Sequence, residues 1–264
     1  MLKSLELNMT QFTYLGDLCK KLRIDFIITP YGLKDLKIIT EVGIDKIKIS
    51  SADLTDKSLV EASCQTGLPL IISTGMSSLE EIKRTCESIK SFENIDFSLL
   101  HCTSAYPASC QSLNINAMNT LRKFSNNVGY SDHSIDGIGS FIAVSLGADI
   151  LERHITIDKK LEGPDHHCSD DPKSFKKYIK QIRNIEIALG KSKKELNEVE
   201  MNMKSVSRKS GYLKYNVKKG QPVHLNDFDF QRPGGGLNEY EIYDLILEDA
   251  VYSKDYNKCE KFLL

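Results

Sequence analysis

The sequence predicts an α/β protein built on a parallel sheet, and three observations carry that prediction. Short apolar runs alternate with longer stretches of helical spacing, the pattern of successive β/α units. The runs are nearly continuous in apolar residues, as in strands covered on both faces. Most runs end in residues capable of chemistry. An open doubly wound sheet gathers its site near one switch point, whereas a (β/α)₈ barrel spreads it over the C-terminal ends of many strands. The spread pattern fits this chain, although only six strand units are visible where a closed barrel has eight.

The strand runs, in order, are Phe26–Thr29, Ile47–Ser50, Leu70–Ser73, Phe97–His101, Val128–Tyr130 and Ile150–Glu152. Helical spacing marks Leu79–Ile89, Phe141–Leu146 and Pro172–Leu189, the last stopping at Gly190. The ends of the runs read Thr29-Pro30-Tyr31, Lys48 with Ser51 and Asp53, Ser73-Thr74-Gly75, His101-Cys102-Thr103-Ser104, Ser131-Asp132-His133 and Glu152-Arg153-His154. Residues 1–190 are thus expected to form the barrel-type domain. The Lys- and Glu-rich stretch 191–204 reads as a linker. Residues 205–264 break into short β-like pieces with Gly and Pro, as in Arg232-Pro233-Gly234-Gly235-Gly236, and predict a small mixed domain.

Composition narrows the function classes. Thirty-five Lys and Arg against 36 Asp and Glu give a net charge of −1, which leaves no electrostatic footprint for nucleic acid or an anionic membrane surface. No apolar run is long enough to span a bilayer, and the N-terminus has no signal-peptide pattern. Seven cysteines without CxxC spacing fit reduced thiols and a cytoplasmic location.

Two features can be read from the residues alone. His133 and His154 close consecutive strands, and neighbouring strands lie about 4.8 Å apart, so their imidazoles can converge on one ion. Two neutral nitrogens completed by water and substrate oxygens suit Mn²⁺ or Mg²⁺ better than a closed zinc site. The plainer reading makes each a hydrogen-bonded strand-end histidine. Lys48 sits within the apolar strand Ile47-Lys48-Ile49, where an unpaired ammonium is costly, so it calls for an anionic partner. His166 and His167 read as loop residues rather than a second metal pair.

The ordered set of motifs resembles the sialic acid synthase family. It runs from Thr29-Pro30-Tyr31 through Lys48-Ile49-Ser50-Ser51-Ala52-Asp53, Ser73-Thr74-Gly75-Met76 and His101-Cys102-Thr103-Ser104-Ala105-Tyr106-Pro107. It continues with Gly129-Tyr130-Ser131-Asp132-His133, Glu152-Arg153-His154 and Gly163-Pro164-Asp165-His166. Arg208-Lys209-Ser210 and Gln231-Arg232-Pro233-Gly234 resemble that family's C-terminal antifreeze-like (SAF) cap. The resemblance implies a (β/α)₈ TIM-type barrel with a cap, working as a domain-swapped homodimer. It implies condensation of phosphoenolpyruvate with N-acetylmannosamine or a related N-acetylated amino-sugar, giving a nonulosonic acid and phosphate. His133 and His154 would hold the Mn²⁺ or Mg²⁺. Lys48, Ser51, Ser73, Ser104 and Ser131, with Thr29 as a further candidate, would receive phosphoenolpyruvate. Tyr31, Asp53, Tyr106 and Asp165 would meet the sugar, Arg232 would reach its N-acyl group from the second subunit of the dimer, and Arg208 or Lys209 would be a basic group near the substrate.

The chain departs from that family in several places. Family members begin with two more strands, which bring an acidic residue and a lysine, and Met1 here falls in the helix before the third strand. Asp53 stands where Glu is common and Tyr31 where Phe is common. The final segment, 245–264, is short, with Cys259 where a turn glycine is expected. The expectation is therefore a partial barrel whose first and last strands are open edges, with little or no activity of the chain alone. The rival reading is a catalytically incomplete truncated paralogue that only binds sugar or a full-length partner.

Overall fold

Alternation along each strand decides where the core sits. Ile47, Ile49, Leu70, Ile72, Leu99 and Val128 are at most 1% exposed and pack against helical side chains including Leu36, Ile39, Leu59, Ile82 and Ile89. Burying one such side chain stabilises the fold by roughly 1.5–3 kcal/mol. Their neighbours in the pleat, Lys48, Ile71 and Leu100, turn to the other face and line one cavity.

The computed structural model describes residues 6–263. The chain divides into two compact units, residues 1–190 and 191–264. The first unit begins with α1 (Met9–Leu22), β1 (Ile27–Ile28), α2 (Leu33–Val42), β2 (Lys46–Ile49), α3 (Lys57–Gln65) and β3 (Leu70–Ser73). It continues through α4 (Leu79–Lys90), β4 (Phe97–Cys102), α5 (Met118–Leu121), β5 (Asn127–Asp132), α6 (Ile138–Ser145), β6 (Leu151–Arg153) and α7 (Pro172–Leu189). The six strands form one all-parallel sheet in sequence order.

The sheet is curled. In a flat sheet β1 and β6 would stand about 24 Å apart, five steps of the strand spacing. Here Ile27 and Thr29 at the first strand line the same 570 Å³ cavity as Leu151 and Glu152 of the last. This is the architecture of a partial TIM-type barrel. Among the described residues β1 pairs only with β2 and β6 only with β5, so both expected edges are open.

Strand limits differ from the apolar runs where polar residues continue the ladder. The fifth strand extends to Asp132 because Ser131 pairs with Cys102 and Glu152, and Asp132 with Arg153. Helix ends follow their caps. Ser78 and Glu81 form a capping box at α4, and Asp171 caps α7 with Pro172 in its first turn.

The second unit contains α8 (Glu198–Ser207), β7 (Ser210–Leu213), β8 (Phe228–Gln231) and α9 (Glu239–Leu247), with β7 and β8 antiparallel. Leu213, Val217, Val223, Phe228, Ile242, Tyr252, Tyr256 and Phe262 form its own core. The stretch expected to be a linker is corrected in part, because α8 occupies much of it. Asn197 and Glu200 form a capping box there, and that local signal starts a helix even though none of its residues is buried.

Candidate functional site

The C-terminal ends of the six parallel strands open onto one rim, and the pleat selects which side chains reach it. On β2 that face carries Lys48. It is buried, and its Nζ donates to Ile49 O at 2.7 Å and lies 3.6 Å from Glu152 Oε2 on β6. Burial pulls the Lys48 pKa down from the ordinary lysine value, and the Glu152 carboxylate opposes that shift. The second Glu152 oxygen accepts from Ser131 Oγ on β5 at 2.6 Å. One carboxylate thus ties a buried cation to a hydroxyl on the neighbouring strand.

A second group of hydroxyls gathers around Gly75. Ser51 Oγ accepts from Gly75 N at 3.0 Å and lies 3.2 Å from Cys102 Sγ. A Cβ at position 75 would come within 2.9 Å of Ser51 Oγ and 2.8 Å of Cys102 Sγ, and would also strike Ser104 Oγ. Only glycine leaves room for Ser51, Cys102 and Ser104 to converge there. Ser73 is two residues on from the cavity-lining Ile71 and so shares its face. Its hydroxyl is buried and has no hydrogen-bond partner, which is costly unless a ligand or water supplies one.

The two histidines stand at the next strand ends. The His133 and His154 rings are 5.3 Å apart between centroids and nearly perpendicular. His133 Nδ1 donates to Thr103 O at 2.8 Å. A carbonyl can only accept, so Nδ1 carries the proton and Nε2 keeps a free lone pair. Burial lowers the His133 pKa, which favours that neutral form. His154 Nδ1 lies 3.8 Å from Asp165 Oδ2. The Tyr106 ring packs 4.2 Å from His133 and 5.5 Å from His154. Two imidazoles at this separation, one with its tautomer fixed, suit a divalent cation that takes its remaining ligands from water or substrate. Among the described residues no group of three or more His, Cys, Asp or Glu side chains forms a complete protein cage for a metal.

Thus Lys48, Ser51, Ser73, Ser104, Ser131, His133, His154, Tyr106 and Asp165 all lie along this rim, and Thr29 lines the cavity with Lys48 and Glu152. Asp53 instead accepts from Ser50 Oγ at 2.6 Å in the turn after β2. Tyr31 is 76% exposed and touches none of these groups through a hydrogen bond. Arg208 and Arg232 belong to the second unit, where Arg232 Nε donates to Ser207 O at 2.5 Å. Sequence reasoning gave no role to Glu152 or Cys102. The available signal was alternation: Glu152 and His154 share a strand face, as do Leu100 and Cys102.

A family model described as the NeuB family matches residues 1–194. The chain belongs to the NeuB family. It is 36% identical over 251 residues to the N,N'-diacetyllegionaminic acid synthase of Legionella pneumophila, covering 93% of this chain and 70% of that protein. It is 41% identical over 255 residues to an uncharacterized protein of Methanocaldococcus jannaschii, covering 95% of this chain and 74% of that one. Among solved structures, the N-acetylneuraminic acid (sialic acid) synthetase of Leptospira borgpetersenii, in complex with citrate, superposes with a TM-score of 0.70 at 34% identity. That match covers 75% of this chain and 70% of the other. Among the described residues no helix is long and apolar enough to cross a membrane.

Proposed function

We propose that this NeuB-family chain condenses phosphoenolpyruvate with N-acetylmannosamine or a related acetamido sugar, giving a nonulosonic acid and phosphate. The observation that carries the reading is the single rim that holds a buried cation, a cluster of hydroxyls and two converging imidazoles. The relatives named as legionaminic and sialic acid synthases support it.

Lys48 supplies the positive charge for phosphoenolpyruvate, and Ser51, Ser73, Ser104 and Ser131 are assigned to its phosphate and carboxylate, Ser131 by turning its hydroxyl from Glu152 to the ligand. The unpartnered Ser73 hydroxyl gains an acceptor in the complex. His133 and His154 hold the divalent cation, Mn²⁺ or Mg²⁺. When bound, that cation polarises the sugar aldehyde as a Lewis acid. Tyr106 and Asp165 are assigned to the sugar, and Asp53 and Tyr31 are assigned to it on the family resemblance. Arg232 is assigned to the N-acyl group and Arg208 to the acidic substrate.

In the reaction, C3 of phosphoenolpyruvate attacks the aldehyde carbon and forms the new C–C bond, and the aldehyde oxygen takes up a proton. Water adds at C2, and phosphate leaves with cleavage of its C–O bond. No covalent enzyme intermediate is needed, so Lys48 acts as a charge and not as a Schiff-base amine. We further propose that the chain works as a domain-swapped homodimer in the cytoplasm. Light scattering is then expected to give a dimer for the full chain and a monomer after deletion of residues 205–264, and a monomer before and after would reject the swap.

The test is phosphate release, with the nonulosonic acid identified by mass spectrometry, from phosphoenolpyruvate and a panel of acetamido sugars in Mn²⁺. Any product that the parent chain forms is expected to be lost in His133→Ala and His154→Ala. Binding of phosphoenolpyruvate and sugar without product would instead favour a protein that only binds. Equal turnover by either histidine variant would reject the assigned metal site.

A further inference from the structure

Beneath the rim lies a cluster of charges to which the proposed reaction gives no role. Asp132 is 1% exposed, and the Arg153 and Asp170 side chains are almost as deeply buried. Arg153 Nε donates to Asp170 Oδ2 at 2.6 Å. One terminal nitrogen of the same guanidinium donates to Ser134 O at 2.6 Å and Asp132 O at 3.3 Å, and lies 3.5 Å from Asp132 Oδ2. Asp132 in turn accepts from Ser134 N, Ser140 N and Ser140 Oγ at 2.7–2.9 Å. Tyr178 OH donates to Ser140 Oγ at 2.8 Å, and the guanidinium carbon sits 5.5 Å from the Tyr178 ring centroid.

The location of this cluster in the chain gives it a purpose. Asp132 and Ser134 flank His133, so one Arg153 nitrogen holds the carbonyls on both sides of that histidine. Arg153 itself immediately precedes His154. Its other partner, Asp170, donates its backbone N–H to His154 O at 2.9 Å. A single side chain therefore links the backbone around both imidazoles. Buried ion pairs are weak contributors to net stability compared with apolar packing, and their best-attested role is to specify one arrangement. The planar fork can satisfy several acceptors at once, which a lysine ammonium at the end of a flexible stem cannot.

We propose that Arg153 is a positioning residue. Clamped between Asp132 and Asp170, it fixes the separation of His133 and His154 and so sets the affinity of the pair for a divalent cation. The inference rests on the reading of these histidines as metal ligands.

The experiment measures Mn²⁺ binding directly, by electron paramagnetic resonance of the free ion, for the parent chain, His133→Ala, Arg153→Lys and Asp170→Asn. Melting curves confirm that each variant folds. The parent is expected to bind and His133→Ala not to bind. Arg153→Lys is expected to bind at least tenfold more weakly. The Mn²⁺ concentration that half-saturates condensation should rise by the same factor, with turnover at saturating Mn²⁺ within about threefold of the parent. Folded Arg153→Lys with parental affinity would overturn the clamp while leaving the metal reading intact. A parent that binds no Mn²⁺, or a His133→Ala that binds as the parent does, would overturn both. If Arg153→Lys does not fold, Asp170→Asn decides the question in the same way, because it weakens one arm of the clamp and leaves the arginine in place.

Discussion

Lys48 shows how one side chain can be costly to the fold and useful to the site. Its ammonium is buried in the curled sheet, where desolvation lowers its pKa, and it is held by Ile49 O and the Glu152 carboxylate. A ligand bringing two anionic groups meets a cation already stripped of most of its water. Lys48→Met removes the charge at similar volume, and Glu152 keeps its hydrogen bond to Ser131. A charge-assisted hydrogen bond is worth about 1.5–3 kcal/mol, so phosphoenolpyruvate should bind roughly 10–150-fold more weakly. Calorimetric titration checks this, and an unchanged dissociation constant would remove Lys48 from the site. Lys48→Arg is not expected to restore affinity, because the larger planar head does not fit the Lys48–Ile49–Glu152 geometry.

At the level of elements, two backbone positions set the local geometry. Gly129 on β5 has no space for a side chain. An added Cβ would collide with the Ile150 carbonyl and lie 2.6 Å from Leu100 Cδ2. The carbonyl belongs to the backbone leading into β6 and accepts the Tyr130 N–H at 2.9 Å, so it cannot move without breaking that bond. Gly129→Ala should therefore destabilise the first unit by about 1–3 kcal/mol. In scanning calorimetry that corresponds to a fall of roughly 2–12 °C in Tm. Cys259 presents the opposite case. It adopts φ +63° in the turn where the sequence resemblance placed a glycine, and its N–H donates to Leu213 O at 2.7 Å. A non-glycine residue is strained there, so Cys259→Gly should stabilise the second unit by about 0.5–1 kcal/mol. A loss of stability in denaturant titration would show that the thiol makes a compensating contribution.

At the scale of the whole sheet, β1 and β6 are its edge strands among the described residues. The curl brings β1 and β6 to a common cavity, yet among the described residues no strand joins them. Unpaired strand edges exchange their amide hydrogens readily and recruit other strands. Hydrogen exchange should be fastest among the strands at residues 27–28 and 151–153, and slowest in β3 and β4 at the centre of the sheet. Light scattering should show association that rises with concentration. Uniform protection across all six strands would mean that the edges are covered in solution.

The sequence by itself determined the family, the parallel order of six strands and the rim residues Lys48, His133 and His154. The family rests on the resemblance of its ordered motifs, and the rest on local signals: apolar runs, strand-end chemistry and an ammonium that an apolar strand cannot leave unpaired. The stretch after Gly190 was less legible, because its polar composition outweighed the Asn197–Glu200 capping signal that starts α8. Only the tertiary structure decided which partners meet. Glu152 lies over 100 residues from Lys48 in the chain, and it becomes Lys48's counter-ion because the sheet curls. The same holds for Arg153, whose value to the site comes from carbonyls around His133 on the neighbouring strand. Periodicity reports which face a residue occupies, but the curvature and register that bring distant side chains within hydrogen-bond reach are properties of the packed sheet.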